Sequence, residues 1–382
     1  MSNVFVISSY LYEVHLRASR WPAKETLMQP VVLALAANER YFSGLYCTIA
    51  SSLSYLDPSR EVDVKVLDGG ISEESRKVLS RLMARFGRST QLEFVPVDES
   101  TFRGATLGPA RSHMTYCRIL LPHVLDAHRL VYLDCDVLVF RDLSQLFDLE
   151  LSPGKVVAAV PDSETLSLAE DSQSILAAMG LPGDNIYFNC GVMLMNLDAL
   201  REETFTERSV DFFKRWRGHY RFWDQSAFNF LLHGRIAELP EHWNRASWRF
   251  NEQHNNKLEC VLHYTTSAPW LGGKRGPAQV LFEWFAAEAG LPVNRQSADF
   301  KNSIRRQLLR NMLAPFRALG FSAVALFYKL AGRHEKSAAY RKVARYWLDY
   351  ILHAPRRRTL YRRRAGQIQN MKFTVGAFES VR

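Results

Sequence analysis

Hydrophobic and polar positions change period along the chain in a repeating order. Residues 30–37 are almost wholly apolar and end at polar Asn38, Glu39 and Arg40, which predicts a buried strand. Phe42, Leu45, Tyr46, Ile49, Leu53 and Leu56 then recur at helical spacing. A second strand is predicted at 62–67, closed by Asp68-Gly69-Gly70. Ser72 caps the next helix, with Glu73 and Glu74 where acids suit the helix dipole. Val78, Leu79, Leu82, Met83 and Phe86 form its buried face, and 92–97 is a third strand. Strand alternating with helix implies a parallel sheet with crossover helices, whose ligands sit beyond the C-terminal ends of the strands.

Further on, 115–122 reads as a helix and 129–140 as an apolar strand interrupted by acids. A short helix at 143–147 and a strand at 156–160 ending near Asp162 follow, then a loop over 165–185. The run 187–197 becomes apolar strand from Val192, preceded by Asn189 and Gly191. Gly191 either lets the backbone approach a ligand or marks a bulge. Helices are predicted at 205–216 and 223–232. Asp224 and Gln225 open the second, where Asp224 reads first as an N-cap. A short strand at 261–264 carries His263 at its end.

The candidate chemistry is concentrated at Asp134-Cys135-Asp136. Unpaired carboxylates inside an apolar strand lose hydration at a cost of several kcal/mol each. A divalent cation between them and an anionic ligand removes that cost, and Mg²⁺ or Mn²⁺ takes carboxylate and phosphate oxygens. His263, at another strand end, is a candidate third ligand.

Charge divides the molecule. Of 382 residues, 47% are hydrophobic and 23% charged, as in globular proteins, with a net charge of +10. Residues 301–382 hold 19 Lys/Arg against 3 Asp/Glu, and the first 300 hold 30 against 36. Basic and apolar residues alternate over 302–364, with Arg356-Arg-Arg358 and Arg362-Arg-Arg364 near the end. An amphipathic basic tail of this kind suits an anionic membrane surface. Nucleic acid is not expected, because no recognisable binding module accompanies the charge. Five dispersed cysteines without a Cys-x-x-Cys, and no signal-like N-terminal run, lead us to expect a cytoplasmic protein peripheral on the cytosolic face of a membrane. The longest apolar stretch, 312–330, is broken by Pro315, Arg317 and Lys329 and does not read as a membrane span.

Several ordered motifs together resemble glycosyltransferase family 8, the retaining nucleotide-sugar enzymes that include bacterial lipopolysaccharide galactosyl- and glucosyltransferases and glycogenin. They are Ala36-Ala37 with Tyr41, Leu67-Asp-Gly-Gly-Ile-Ser72, Tyr116-Cys-Arg118, Tyr132-Leu-Asp-Cys-Asp-Val-Leu138, Phe188-Asn-Cys-Gly-Val192, Trp223-Asp-Gln225, and His263-Tyr264 with Pro269-Trp270. The resemblance covers residues 31–270. It implies a GT-A fold: a Rossmann-like, mostly parallel α/β sheet with helices on both faces, carrying here a basic α-helical C-terminal appendage. The expected division is an N-terminal extension (1–30), a glycosyltransferase domain (31–290) and the tail (291–382).

The same resemblance implies that Asp134, Asp136 and His263 hold Mn²⁺ (or Mg²⁺) against the diphosphate of a UDP-sugar. It places Ala37 and Asn38 beside the uracil and Arg118 near the sugar-diphosphate. Asp162, Asn189, Gly191, Asp224 and Gln225 would surround the transferred hexose, galactose or glucose, with Asp224 positioning its hydroxyls and Gln225 stabilising oxocarbenium character. Tyr41, Cys135, Cys190, Thr266 and Lys274 complete the expected donor-binding set. The acceptor would be a saccharide of a lipopolysaccharide or other cell-surface glycan precursor. Two departures from the family pattern stand out. Asn38 and Arg40 replace the usual Asp and Asn, and no Lys precedes Pro269, so Lys274 or Arg275 is expected to supply that charge. The missing Lys also keeps open a sugar-nucleotide binder without turnover, and the tail keeps open a peripheral membrane adaptor.

Overall fold

In a computed structural model, seven strands form one twisted sheet in the order β3-β2-β1-β4-β7-β6-β8. The structure describes residues 29–86, 90–107, 112–250, 258–265, 268–271 and 277–291, with scattered residues between 319 and 341. β1 (Val31–Ala37), β2 (Val62–Asp68) and β3 (Thr90–Pro96) are parallel neighbours, joined by the crossovers of helices α1 (Phe42–Tyr55) and α2 (Glu73–Ala84). Ser72 caps α2 as its sequence predicts, its hydroxyl accepting from the Ser75 N–H.

On the other side β1 pairs in parallel with β4 (Arg129–Leu133). Chain order therefore reverses between β1 and β4, the switch point at which open α/β sheets form their ligand crevice. The turn after β4 leads to β5 (Val137–Val139). Beyond β4 lie β6 (Val157–Pro161), β7 (Phe188–Asn196) and β8 (Ile236–Glu238). β7 runs antiparallel to both β4 and β6, and β6 pairs in parallel with β8.

Both faces of the sheet are covered. Val31, Leu33 and Leu35 pack with Leu45, Ile49 and Leu79 in one core layer, whereas Ala34, Tyr132 and Met193 pack with Phe213 and Phe228 in the other. This is the period-two alternation of strand side chains carried across the sheet.

The predicted single strand at 129–140 is two. β5 leaves the main sheet and pairs antiparallel with β10 (Val261–His263), which also pairs in parallel with β9 (Arg245–Ala246). Asp134 and Asp136 occupy the turn between the two sheets, and β10 brings His263 opposite Val137. Residues 115–122 form a 3₁₀ segment, Met114–Leu120, continued by one α turn, Leu121–Val124. The loop expected at 165–185 contains helices Leu168–Asp171 and Gln173–Met179. The second is capped by Ser172 and stopped by Gly180 in the left-handed region, at φ 64°. β7 begins at Phe188 rather than Val192 because Asn189 and Phe188 already pair with β6 across a bulge.

Helix Pro277–Glu288 returns to the body, where the Tyr46 hydroxyl and Arg85 both donate to the Ala289 carbonyl, at 2.7 and 2.8 Å. The described tail residues between Leu319 and Arg341 are helical or turn, and Leu319, Leu326, Phe327 and Leu330 are exposed. Residues 1–28, Thr266, Lys274, Arg275 and most of 302–364 lie outside the described residues. Among the described residues no helix is long and apolar enough to cross a membrane. All five cysteines are free and buried.

Candidate active site

The crevice at the switch point is a cavity of about 510 Å³. β1 contributes Ala36 and Ala37 at its end, followed by Asn38 and Tyr41. The turn between β4 and β5 contributes Asp134, Cys135 and Asp136, and the end of β10 contributes His263. Asp162 follows β6, Asn189 opens β7, and Asp224 and Gln225 stand in the first turn of helix Trp223–Leu231. Arg118 reaches the same cavity from the 3₁₀ segment. Elements distant in sequence thus bring together most of the expected residues. Cys190 and Gly191 act from behind the cavity wall through their backbones. Thr266 and Lys274 lie outside the described residues.

Asp134, Asp136 and His263 present one ligand atom each within 4.8 Å of one another. His263 Nε2 is 3.2 Å from Asp136 Oδ1 and 3.7 Å from Asp134 Oδ2. Burial disfavours the His263 imidazolium, but Asp136 and Asp134 outweigh it and raise its pKa. The wall behind the triad admits no side chain. A Cβ on Gly191 would lie 2.2 Å from His263 Cε1 and 2.9 Å from Asp134 Oδ2. Gly191 lies in the bulge of β7 between Asn189 and Met193, and its missing side chain leaves room for the His263 ring and the Asp134 carboxylate. Two carboxylates and an imidazole around such a cradle could together hold a divalent cation.

Arg118 is buried beneath this triad. Its Nη2 pairs with Asp134 Oδ1 at 2.8 Å, its Nε lies 2.9 Å from Asp224 Oδ2, and its Nη1 donates to the Cys190 carbonyl at 2.5 Å. The guanidinium also lies over the Tyr132 ring, 4.6 Å from its centroid, while the Tyr132 hydroxyl donates to Asp134 Oδ1. Burial opposes the charge on Arg118, but Asp134 and Asp224 more than compensate and hold it protonated.

Asp224 is not an N-cap. The helix is preceded by Phe222 without a side-chain cap, and Trp223 enters it at φ 50°. That left-handed backbone, costly for a bulky residue, turns Asp224 inward, where Thr115 Oγ1 donates to its Oδ1. Oδ2 has Arg118 at ion-pair distance but no aligned hydrogen-bond donor. Burial raises the Asp224 pKa to about 6, against the lowering effect of Arg118.

Polar contacts fix the remaining groups. The Cys190 N–H donates to Gln225 Oε1 at 3.0 Å, and Gln225 Nε2 donates to Asp162 Oδ2 at 3.3 Å. Asn189 Nδ2 donates to the same Asp162 oxygen at 3.0 Å. Asn38 Oδ1 is buried on the cavity wall without a hydrogen-bond partner. Trp270 packs edge-on against Tyr41 and donates from its indole to the Arg40 carbonyl.

Sequence reasoning missed Thr115, Tyr132 as a site residue, and Asn244, whose Oδ1 meets His263 Nδ1 at 2.9 Å. Tyr132 alternates with Asp134 along one strand and so had a signal. Asn244 had none, since its contact depends on the pairing of β9 with β10.

A crevice at the switch point of a mostly parallel sheet, with Asp-x-Asp at a strand end, is the arrangement of the GT-A fold. The model of the glycosyl transferase family 8 matches residues 32–272, and the chain belongs to that family. General stress protein A of Bacillus subtilis is 29% identical over 275 residues, covering 66% of this chain and 91% of that protein. The lipopolysaccharide 1,2-glucosyltransferase of Escherichia coli is 32% identical over 157 residues, 38% of this chain and 45% of that one. Among solved structures, galactosyltransferase LgtC in complex with donor and acceptor sugar analogues superposes with a TM-score of 0.58 at 24% identity, over 69% of this chain and 98% of that one, a likeness of fold.

Proposed function

We propose that this glycosyltransferase is a metal-dependent, retaining enzyme that moves a hexose, galactose or glucose, from a UDP-sugar to a saccharide acceptor. The observation that carries the reading is the convergence of Asp134, Asp136 and His263 on one point at the mouth of the switch-point crevice. Asp134, Asp136 and His263 would hold Mn²⁺, which supplies charge neutralisation for the departing nucleoside diphosphate. The residues around that point have separate roles. Asn38, with its unpartnered Oδ1, offers an acceptor to an imide N–H such as that of uracil. Arg118 is a preorganised cation that stabilises charge on the diphosphate without reorganising.

Asp162, Asn189, Asp224 and Gln225 form a polar wall suited to sugar hydroxyls. Gln225 has its amide oxygen held by the Cys190 N–H and its amide nitrogen held by Asp162. An amide so restrained is a weak nucleophile and a good fixed dipole. This favours attack of the acceptor hydroxyl on the face the diphosphate leaves, its proton passing to the departing diphosphate oxygen, with Gln225 Oε1 stabilising positive charge at the anomeric carbon. Asp224, aimed by Thr115, would orient the sugar hydroxyls.

The basic tail extends the proposal. The 19 Lys/Arg against 3 Asp/Glu of residues 301–382, with exposed Leu319, Leu326, Phe327 and Leu330, support docking of residues 302–364 on an anionic membrane surface. An acceptor carried by a lipid, such as a cell-surface glycan precursor, would be presented there. A second reading, a sugar-nucleotide binder without turnover, draws on the absence of Lys before Pro269.

Proton NMR of UDP-galactose and UDP-glucose incubated with the protein and Mn²⁺ tests the proposal. The α-anomer of free sugar as first product supports retention. The β-anomer first would overturn retention, and UDP binding with no turnover in the presence of saccharide acceptors would favour the second reading.

A further inference from the structure

The amide network behind the cavity settles the polarity of every group in it, starting from one backbone donor. Asn189 Oδ1 lies 3.0 Å from the Gly191 backbone nitrogen, which can only donate. That oxygen is therefore an acceptor, consistent with Asn189 Nδ2 facing the Asp162 carboxylate. The Asn244 atom 2.8 Å from Asn189 Oδ1 must in turn be a donor, so it is Nδ2. Asn244 Oδ1 is then the atom that faces His263 Nδ1 at 2.9 Å, and that ring nitrogen must carry a proton to meet it. The opposite amide orientation would set oxygen against oxygen at Asn189.

Asn244 is well placed to impose this. It is buried, terminates the 3₁₀ turn Glu241–Trp243, and stands just ahead of β9, whose Ala246 pairs with His263 in the register of β10. Backbone pairing and side-chain contact therefore hold the same ring. With Nδ1 committed as a donor, the lone pair for a cation is at Nε2, the nitrogen that faces Asp134 and Asp136.

We infer that Asn244 is a positioning residue for the metal triad, locking His263 as the Nδ1–H tautomer with Nε2 turned to the two carboxylates. The inference rests on the metal reading of the triad proposed above. Histidine ligands are commonly oriented by such an acceptor on the second nitrogen, and its loss typically costs about 10–100-fold in metal affinity. Asn244 has a second consequence. Through Asn189 it ties the triad to Asp162, and through Asp162 to Gln225, so one rigid polar chain spans the metal side and the sugar side of the cavity.

The experiment measures Mn²⁺ affinity of the full chain by electron paramagnetic resonance of free Mn²⁺, for wild type, Asn244→Ala, Asn244→Asp and Asp136→Asn. Nitrogen-15 ring shifts of His263 in the metal-free protein, assigned with His263→Gln, are recorded beside it. Asn244→Ala should weaken Mn²⁺ binding by about 10–100-fold. Asn244→Asp keeps an acceptor for the Nδ1–H but sets a carboxylate oxygen against Asn189 Oδ1, so it should recover only part of the affinity lost in Asn244→Ala, a recovery that a purely structural role would not give. In the wild type, recorded at a pH where the ring is neutral, His263 should carry its proton on Nδ1 and leave Nε2 bare. Wild-type affinity in Asn244→Ala, equal losses in Ala and Asp variants, or a bare Nδ1 would each overturn the inference. If Asp136→Asn binds Mn²⁺ as the wild type does, the metal reading itself fails, and the ring shifts still decide the tautomer.

Discussion

Arg118 and Asp224 are paired in the interior, Nε to Oδ2 at 2.9 Å, with both side chains more than nine-tenths buried. The same guanidinium reaches Asp134, so one cation balances two acids of the cavity, Asp134 and Asp224. Replacing Arg118 with Met leaves Asp224 without a counter-charge. Breaking a buried pair from one side costs about 3–5 kcal/mol. Urea denaturation should show the midpoint falling with little change in slope, and a loss under about 1 kcal/mol would contradict this balance.

Asp224 predicts a pH signature. Its folded pKa, raised by burial to about 6, lies above the ordinary carboxylate value of 3.8. The folded state therefore binds more protons than the unfolded state between those values, and stability is gained as pH falls through the window. Asp224→Asn lacks the titration. The melting temperature of the wild type minus that of Asp224→Asn should rise as the pH is lowered from about 7 to about 4. A difference that is flat or falls over that range would show that the carboxyl is not held in this environment.

Gly191→Ala should break the triad while sparing the fold. The added methyl meets the His263 ring at 2.2 Å and cannot be accommodated unless the imidazole moves. We expect far-ultraviolet circular dichroism like the wild type, with Mn²⁺ affinity reduced at least about tenfold, the scale on which loss of ligand orientation acts. Unchanged affinity would mean the ring is free to shift at no cost.

Gly44→Ala tests how α1 is seated on the Asp-x-Asp turn. A Cβ there would lie 2.2 Å from the Cys135 carbonyl oxygen and 2.2 Å from the Trp270 ring. The carbonyl is backbone and cannot swing aside, so the helix must retreat. Overpacking of this kind costs about 1–3 kcal/mol. Thermal denaturation should show a lowered midpoint, and a neutral substitution would refute this packing.

Much of this was legible in the chain because it is written in local pattern. The period change from strand to helix located β1, α1, β2 and α2, and the acids inside an apolar run located Asp134 and Asp136. His263 stood out as a polar residue at a strand end. What escaped was set by long-range pairing. The split of 129–140 into β4 and β5 depends on β10 arriving from more than 120 residues away to claim Val137–Val139. The antiparallel course of β7 depends on its neighbours, not on its own residues. Asp224 resembled a cap because N-terminal acids usually are caps, and only the approach of Arg118 and Thr115 makes it a buried site group. Asn244, an ordinary asparagine in sequence, acquires meaning only from the register that sets it beside His263.

The most direct test of the central claim is release of UDP from a panel of UDP-sugars with and without Mn²⁺, comparing wild type with Asp136→Asn. The account predicts release from UDP-galactose or UDP-glucose that is abolished by chelator and by the substitution. Release that persists without metal, or that survives Asp136→Asn, would contradict a metal-centred transfer site built on Asp134, Asp136 and His263.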